Sequence, residues 1–194
     1  MNRQTIKRAG TLYAIGGAIW FLFIVGSILV RFPWSEEHTT AFSIAETIFI
    51  IVQTLLLIGF FGIWQSGGVG QGTFGKVAFG LGALGHLLFV LGEAHSLILG
   101  ELAPIFFPAA PVTAVGLVLT GIAVLQAKQW QGWTRWMPLL TGLYPFLFMF
   151  PFVVINGEPG SYAIGFWGLV RLVLGLAIYA QASESAMAAG EVAR

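Results

Sequence analysis

Residues 77–100 read VAFGLGALGHLLFVLGEAHSLILG, and this apolar stretch decides the class of fold. At about 1.5 Å per residue, a helix of this length crosses the roughly 30 Å hydrocarbon core of a bilayer. The stretch nevertheless contains two histidines, His86 and His95, and one glutamate, Glu93. Ionisable side chains are costly inside a membrane, so these three residues predict contacts with other polar groups of the protein and mark a candidate site.

The composition of the whole chain agrees with a membrane protein. Of its 194 residues, 57% are hydrophobic and 9% are charged, whereas an ordinary globular domain carries about 25% charged residues. The lipid bilayer is therefore the expected surrounding of the chain, and the cell membrane is its expected location. A net charge of +1 gives no basis for binding nucleic acid.

Several kinds of chemistry are excluded by residue types that the sequence lacks. It contains no cysteine and no aspartate, which excludes disulfides, thiolate catalysis and cysteine-ligated metals. His86 and His95 are nine residues apart, and at about 100° per residue they lie on opposite faces of one helix. They cannot share a metal ion or a haem within one chain. We therefore predict no metal site, no cofactor and no set of catalytic residues.

Apolar runs of about 20 residues predict an all-α membrane protein with six transmembrane helices, short loops and a single domain over residues 1–194. The predicted spans are 9–30, 43–64, 77–100, 102–126, 136–155 and 162–182. The fourth and fifth spans are rich in proline, which removes a backbone donor and kinks a helix. The fourth span is therefore expected to bend or to begin late, at Pro104, Pro108 or Pro111.

The basic residues predict how the chain is oriented. If the N-terminus is cytoplasmic, the segments on that side hold seven Lys and Arg residues and those on the other side hold only Arg31. The seven are Arg3, Lys7, Arg8, Lys76, Lys128, Arg135 and Arg194. Since positive charges collect on the cytoplasmic side, both termini are expected to be cytoplasmic.

A stripe of small and polar residues runs along one face of the third span. Gly82, His86 and Glu93 follow one another at helical spacing, and such stripes face other helices rather than lipid. His95 points away from this face and lies near the outer end of the span.

Arg171 is the residue of the last span whose placement in the membrane costs the most free energy. Counting residues from the span boundaries places it near the middle of the membrane, at a depth close to that of Gln53 and His86. A bare ion there costs about 2.5–3.5 kcal/mol on insertion scales, so Arg171 requires a partner. Glu93, within reach of a long arginine side chain, is the predicted partner, and Glu46 is expected nearer the outer surface.

These patterns support three hypotheses about function. The first is a membrane protein that binds or transports a small ligand, largely apolar or carrying one anionic group, in a pocket within the helix bundle. The second is an accessory subunit whose polar stripe contacts another membrane protein or a second copy of the chain. The third is an intramembrane enzyme that uses Glu and His as acid and base. The predicted ligand contacts are Glu46, Gln53, His86, Glu93, His95, Tyr144, Asn156 and Arg171.

Overall fold

The computed structural model describes residues 2–157 and 159–192, with side chains as far as residue 182. Within this part of the chain the fold is all-helical, and six of its helical segments are long and apolar enough to cross a membrane. The spans are α1 (Arg3–Val30), α2 (Thr40–Gln65), α3 (Thr73–Leu99), α4 (Phe106–Ala127), a composite fifth span (Thr134–Asn156) and Ser161–Ala182. The prediction of six spans is confirmed, while the orientation of the bundle stays a prediction.

Several helices begin or end at residues that commonly cap helices. The side chain of Asn2 accepts a hydrogen bond from Gln4 N at the start of α1, and Thr39 caps the start of α2 in the same way. The third helix ends at Gly100, whose φ of 76° is a left-handed conformation that glycine adopts without strain. The fourth helix begins at Phe106, later than the predicted residue 102 because Pro104 precedes it, and it continues through Pro111.

The spans form a closed ring in chain order. Each of the helices α1 to α4 packs on the next, α4 packs on the fifth span, and the fifth span packs on the last helix, α7 (Ser161–Val192). The most extensive contact closes the ring between α7 and α1. Residues 31–39 and 100–105 connect helices at one end, here named the loop end. The backbones of these two loops are joined by a hydrogen bond from His38 N to Gly100 O (2.6 Å).

Glycine allows α1 and α7 to approach each other closely. A Cβ added at Gly10 would lie 2.5 Å from Tyr179 N, and one at Gly17 would collide with the backbone of Leu172. Gly168 and Gly175 of α7 are equally tight against α1. Small residues are the usual means of close helix packing in membranes, where no hydrophobic force drives helices together. Arg171 lies between these two α7 glycines, on the face that meets α1.

The fifth span is interrupted by proline, as predicted. It consists of a 3₁₀ turn (Thr134–Trp136), α5 (Met137–Tyr144), a π-helical turn (Pro145–Met149) and α6 (Phe150–Asn156). Because proline has no backbone N–H, Pro145 cannot donate the helical hydrogen bond to the carbonyl group of Thr141, four residues earlier. Trp167 Nε1 of α7 donates to this carbonyl oxygen instead (3.1 Å). The proline break therefore fixes the position of a tryptophan ring in the neighbouring helix.

A pair of glycine variants tests the close contact between α1 and α7. Gly17→Ala should lower thermal stability in detergent, because the new methyl group meets the α7 backbone; overpacking of this kind typically costs about 1–3 kcal/mol. Gly26→Ala is the matched control in the same helix, since its Cβ would meet nothing within 4 Å. The control should be neutral or slightly stabilising. Equal melting temperatures for the two variants would contradict the packing described.

Candidate functional site

Five of the predicted site residues lie together inside the ring of helices. Gln53, His86 and Arg171 have no exposed surface, and Glu46 and Glu93 are 5% and 4% exposed. They belong to α2, α3 and α7 and face the interior of the bundle. The polar stripe is thus buried within a single chain and is not part of its lipid-facing surface.

Aromatic rings surround the guanidinium group of Arg171. Its Cζ lies 3.8 Å from the ring centroid of Trp167, 4.7 Å from that of Trp20 and 5.8 Å from that of Phe89. The three rings also contact one another edge to face, and we name them the aromatic box. A cation over an aromatic face gains about 2 kcal/mol or more when both groups are desolvated. The box therefore offsets part of the cost of burying Arg171.

The predicted ion pair between Arg171 and Glu93 is wrong. Among the described residues, no carboxylate oxygen lies within 4.0 Å of the Arg171 guanidinium. The ion pair that these residues do form joins His38 to Glu101, and both of these residues lie in the loops. The aromatic box and the Oε1 atom of Gln53 occupy the positions around Arg171 instead. The hydrogen bond from Arg171 Nη1 to Gln53 Oε1 is 3.5 Å long and therefore weak.

Glu93 of α3 and Glu46 of α2 are both buried. They lie near the ends of these two packed helices that meet the loop end, whereas Arg171 lies deeper in the bundle. Gln53 follows Glu46 on the same face of α2 and accepts the hydrogen bond from Arg171, while its Nε2 atom makes no hydrogen bond in the structure.

Several buried polar atoms around Arg171 have no hydrogen-bond partner. They are Nε and Nη2 of Arg171, Nε2 of Gln53, Nε1 of Trp20 and Oε2 of Glu46. Native proteins satisfy most buried polar atoms, so such a group of exceptions calls for an explanation. Four of the five atoms are N–H donors, so a group that accepts hydrogen bonds is what would satisfy them.

His86 belongs to a separate hydrogen-bonded chain beside this centre. Its Nδ1 donates to Gly82 O (2.8 Å), because a carbonyl oxygen can only accept. Its Nε2 therefore accepts from Tyr13 Oη (3.2 Å), and Phe60 stacks on the imidazole ring with 4.8 Å between centroids. Both ring nitrogens are engaged, so His86 supports the arrangement of α1 and α3 and has no free lone pair for a ligand.

The other three predicted contacts lie apart from the centre. His95 is exposed on the outside of the bundle, as its helical position predicts. Tyr144 Oη donates to Ala163 O (3.0 Å), and its ring lines an apolar groove of about 350 Å³ beside α7. Asn156 is exposed at the end of α6. The structure brings none of these three side chains to Arg171.

Sequence reasoning missed Tyr13 and the three residues of the aromatic box. The sequence did contain a signal for two of these residues, Trp20 and Trp167. Tryptophan is typical of membrane interfaces, but Trp20 falls in the middle of its span and Trp167 lies more than one turn inside its own. Trp167 also precedes Arg171 by four residues, one turn on the same helix face. Phe89 could not be singled out, because the spans contain many phenylalanines.

The chemistry of the centre does not suggest a metal ion. The part of the chain that the structure describes holds no group of three or more His, Cys, Asp or Glu residues that could bind one. No family model, no curated protein and no solved structure matches this chain. Fold and site together define a six-span membrane protein with a cationic centre buried in an aromatic box.

A double-mutant cycle tests the aromatic box. The stability effects of Arg171→Met and Trp167→Leu should be non-additive, with a coupling energy of about 1–2 kcal/mol from the lost cation–π contact. The matched cycle pairs Arg171→Met with Trp130→Leu, another buried tryptophan, which bonds Ser66 and does not contact Arg171. That coupling should be near zero. Equal coupling in both cycles, measured by unfolding in detergent, would refute the box.

Proposed function

We propose that this chain is a membrane-embedded binding or transport protein for a small monoanion, and that Arg171 binds the negative group. The observation that carries the proposal is a fully buried guanidinium group with two nitrogen atoms, Nε and Nη2, that have no partner. Arginine has five N–H donors and no acceptor, so only a hydrogen-bond acceptor can satisfy it. A negatively charged acceptor also neutralises its charge, which is costly in lipid.

The neighbours of Arg171 favour a compact ligand head group. The side chains of Trp20 and Gln53 contact the guanidinium, and their donors, Trp20 Nε1 and Gln53 Nε2, have no partner and would serve the same acceptor. The rings of Trp167 and Phe89 pack close by and would contact an apolar part of the ligand. A halide, nitrate or a carboxylate with a short aliphatic tail meets these requirements.

Burial within one chain argues for a ligand rather than a protein partner. An accessory subunit that used the polar stripe as an interface would present these side chains on its outer surface. Gln53, His86 and Arg171 have no exposed surface. A small molecule that enters the ring of helices can reach them, whereas a partner helix cannot.

Thermal unfolding of the purified protein in detergent tests the proposal. Sodium salts of chloride, bromide, nitrate, acetate and hexanoate are compared at constant ionic strength, and neutral hexanamide controls for the apolar tail. At a concentration a hundredfold above Kd, a bound ligand stabilises a protein by about 2.7 kcal/mol. At least one monoanion should therefore raise the melting temperature clearly, and hexanamide should not.

Two variants show whether the effect belongs to Arg171. Arg171→Gln should lose the stabilisation, and Arg135→Gln should keep it, because Arg135 lies outside the core and stacks on Trp136. The proposal fails if no monoanion shifts the wild type, or if the shift persists in Arg171→Gln.

A further inference from the structure

An apolar groove runs along the outside of the bundle between the fifth span and α7. Its volume is about 350 Å³, which is within the range of sites that hold small organic molecules. Leu140 and Leu147 of its wall are about half exposed or more, so the groove opens on the surface that meets lipid. Its lining includes Met137, Leu140, Tyr144 and Leu147 of the fifth span and Val170 and Val173 of α7.

The lining of the groove favours an apolar occupant. Among the described residues that line it, only Tyr144 has a polar atom in its side chain. That atom, Tyr144 Oη, already donates a hydrogen bond to Ala163 O. A polar ligand would find no side chain free to bond with it, whereas a hydrocarbon chain needs none.

The length of the groove matches one leaflet of a bilayer. On the fifth span its lining extends from Met137 to Phe148, a distance of eleven residues in helical conformation. At 1.5 Å per residue this is about 16 Å. The hydrocarbon core of a bilayer is about 30 Å thick, so one leaflet contributes about 15 Å. An acyl chain of a phospholipid therefore fits the groove along its whole length.

One end of the groove lies at the level of the lipid head groups. The 3₁₀ turn Thr134–Trp136 directly precedes Met137. Trp133 and Trp136 are exposed there, and exposed tryptophans are typical of the membrane interface. Gln181 Nε2 of α7 donates to Thr134 Oγ1 (2.6 Å), which joins the turn to the other wall of the groove.

The turn at this end carries a positive charge. Arg135 is exposed, and its Cζ lies 5.4 Å from the ring centroid of Trp136. Among the described side chains Arg135 forms no ion pair. The connection 128–136 also contains Lys128 and has no Asp or Glu. Since a guanidinium group binds phosphate through two parallel hydrogen bonds, a negatively charged phospholipid head group complements this end of the groove.

We propose that the groove between the fifth span and α7 binds an anionic phospholipid, with one acyl chain along the groove and the phosphate group at Arg135. A zwitterionic lipid has the same acyl chains, but its head group adds a positive charge that Arg135 and Lys128 repel. Arg171 takes no part in this site, which therefore stands or falls independently of the proposed function.

Lipid titration of the purified full-length protein in a neutral detergent tests the proposal. Dioleoyl phosphatidylglycerol is compared with dioleoyl phosphatidylcholine, which has the same acyl chains and no net charge. Both lipids should raise the melting temperature of the wild type. A basic residue near the membrane surface strengthens the binding of an anionic lipid about fivefold. The anionic lipid should therefore reach half of its full effect at a lipid fraction at least about fivefold lower.

Two variants separate the head-group contact from the acyl-chain contact. Arg135→Gln should remove most of the preference for the anionic lipid. Lys76→Gln is its control, because it removes the same charge from an exposed position at the same end of the bundle. Leu140→Trp should fill the groove and weaken the binding of both lipids. Leu84→Trp is its control, since Leu84 is similarly exposed on α3 and does not line the groove.

Three results would overturn the proposal. The first is an equal response of the wild type to the two lipids, or an Arg135→Gln variant that behaves as Lys76→Gln does. The second is undiminished lipid binding in Leu140→Trp. The third is a lipid-free dimer, measured by light scattering, that Leu140→Trp dissociates, because a second copy of the chain would then occupy the groove.

Discussion

The positive charge of Arg171 at the centre of an apolar bundle is the constraint on which the rest of the structure depends. The chain does not neutralise it with a carboxylate. The guanidinium lies against three aromatic rings and one amide oxygen, and two of its nitrogen atoms have no partner. A buried charge without a partner of opposite sign is costly. Because no carboxylate of the chain is bonded to Arg171, the negative group of a ligand could supply that partner.

The fold holds this arrangement in place through features that are far apart in the sequence. Glycines at the crossing of α1 and α7 bring Arg171 close to Trp20 of α1. Pro145 in the fifth span frees the Thr141 carbonyl group, which fixes Trp167 against Arg171. A break in one helix and a close contact between two others thus determine the surroundings of a single charge.

The six spans, the late start of α4 and the broken fifth span could be predicted from the sequence, because span length and proline have local consequences. Burial of Gln53, His86, Glu93 and Arg171 could also be predicted from polarity and helical spacing. The contacts that these buried side chains make with one another could not be predicted. Depth alone placed Glu93 within reach of Arg171, but depth contains no information on the order of helices around the ring or on what lies between two side chains. In the structure, Gln53 and the aromatic box contact Arg171, and Glu93 does not.

We propose that Arg171 is the ligand-binding residue of this small membrane protein. Anomalous diffraction from crystals of the wild-type protein soaked in bromide tests the central claim most directly. If Arg171 binds the anion, a bromide peak is expected within hydrogen-bonding distance of Arg171 Nη2 and Gln53 Nε2, and no such peak in crystals of Arg171→Gln. A wild-type core without bromide, in which the Glu93 carboxylate is bonded directly to the Arg171 guanidinium, would contradict it.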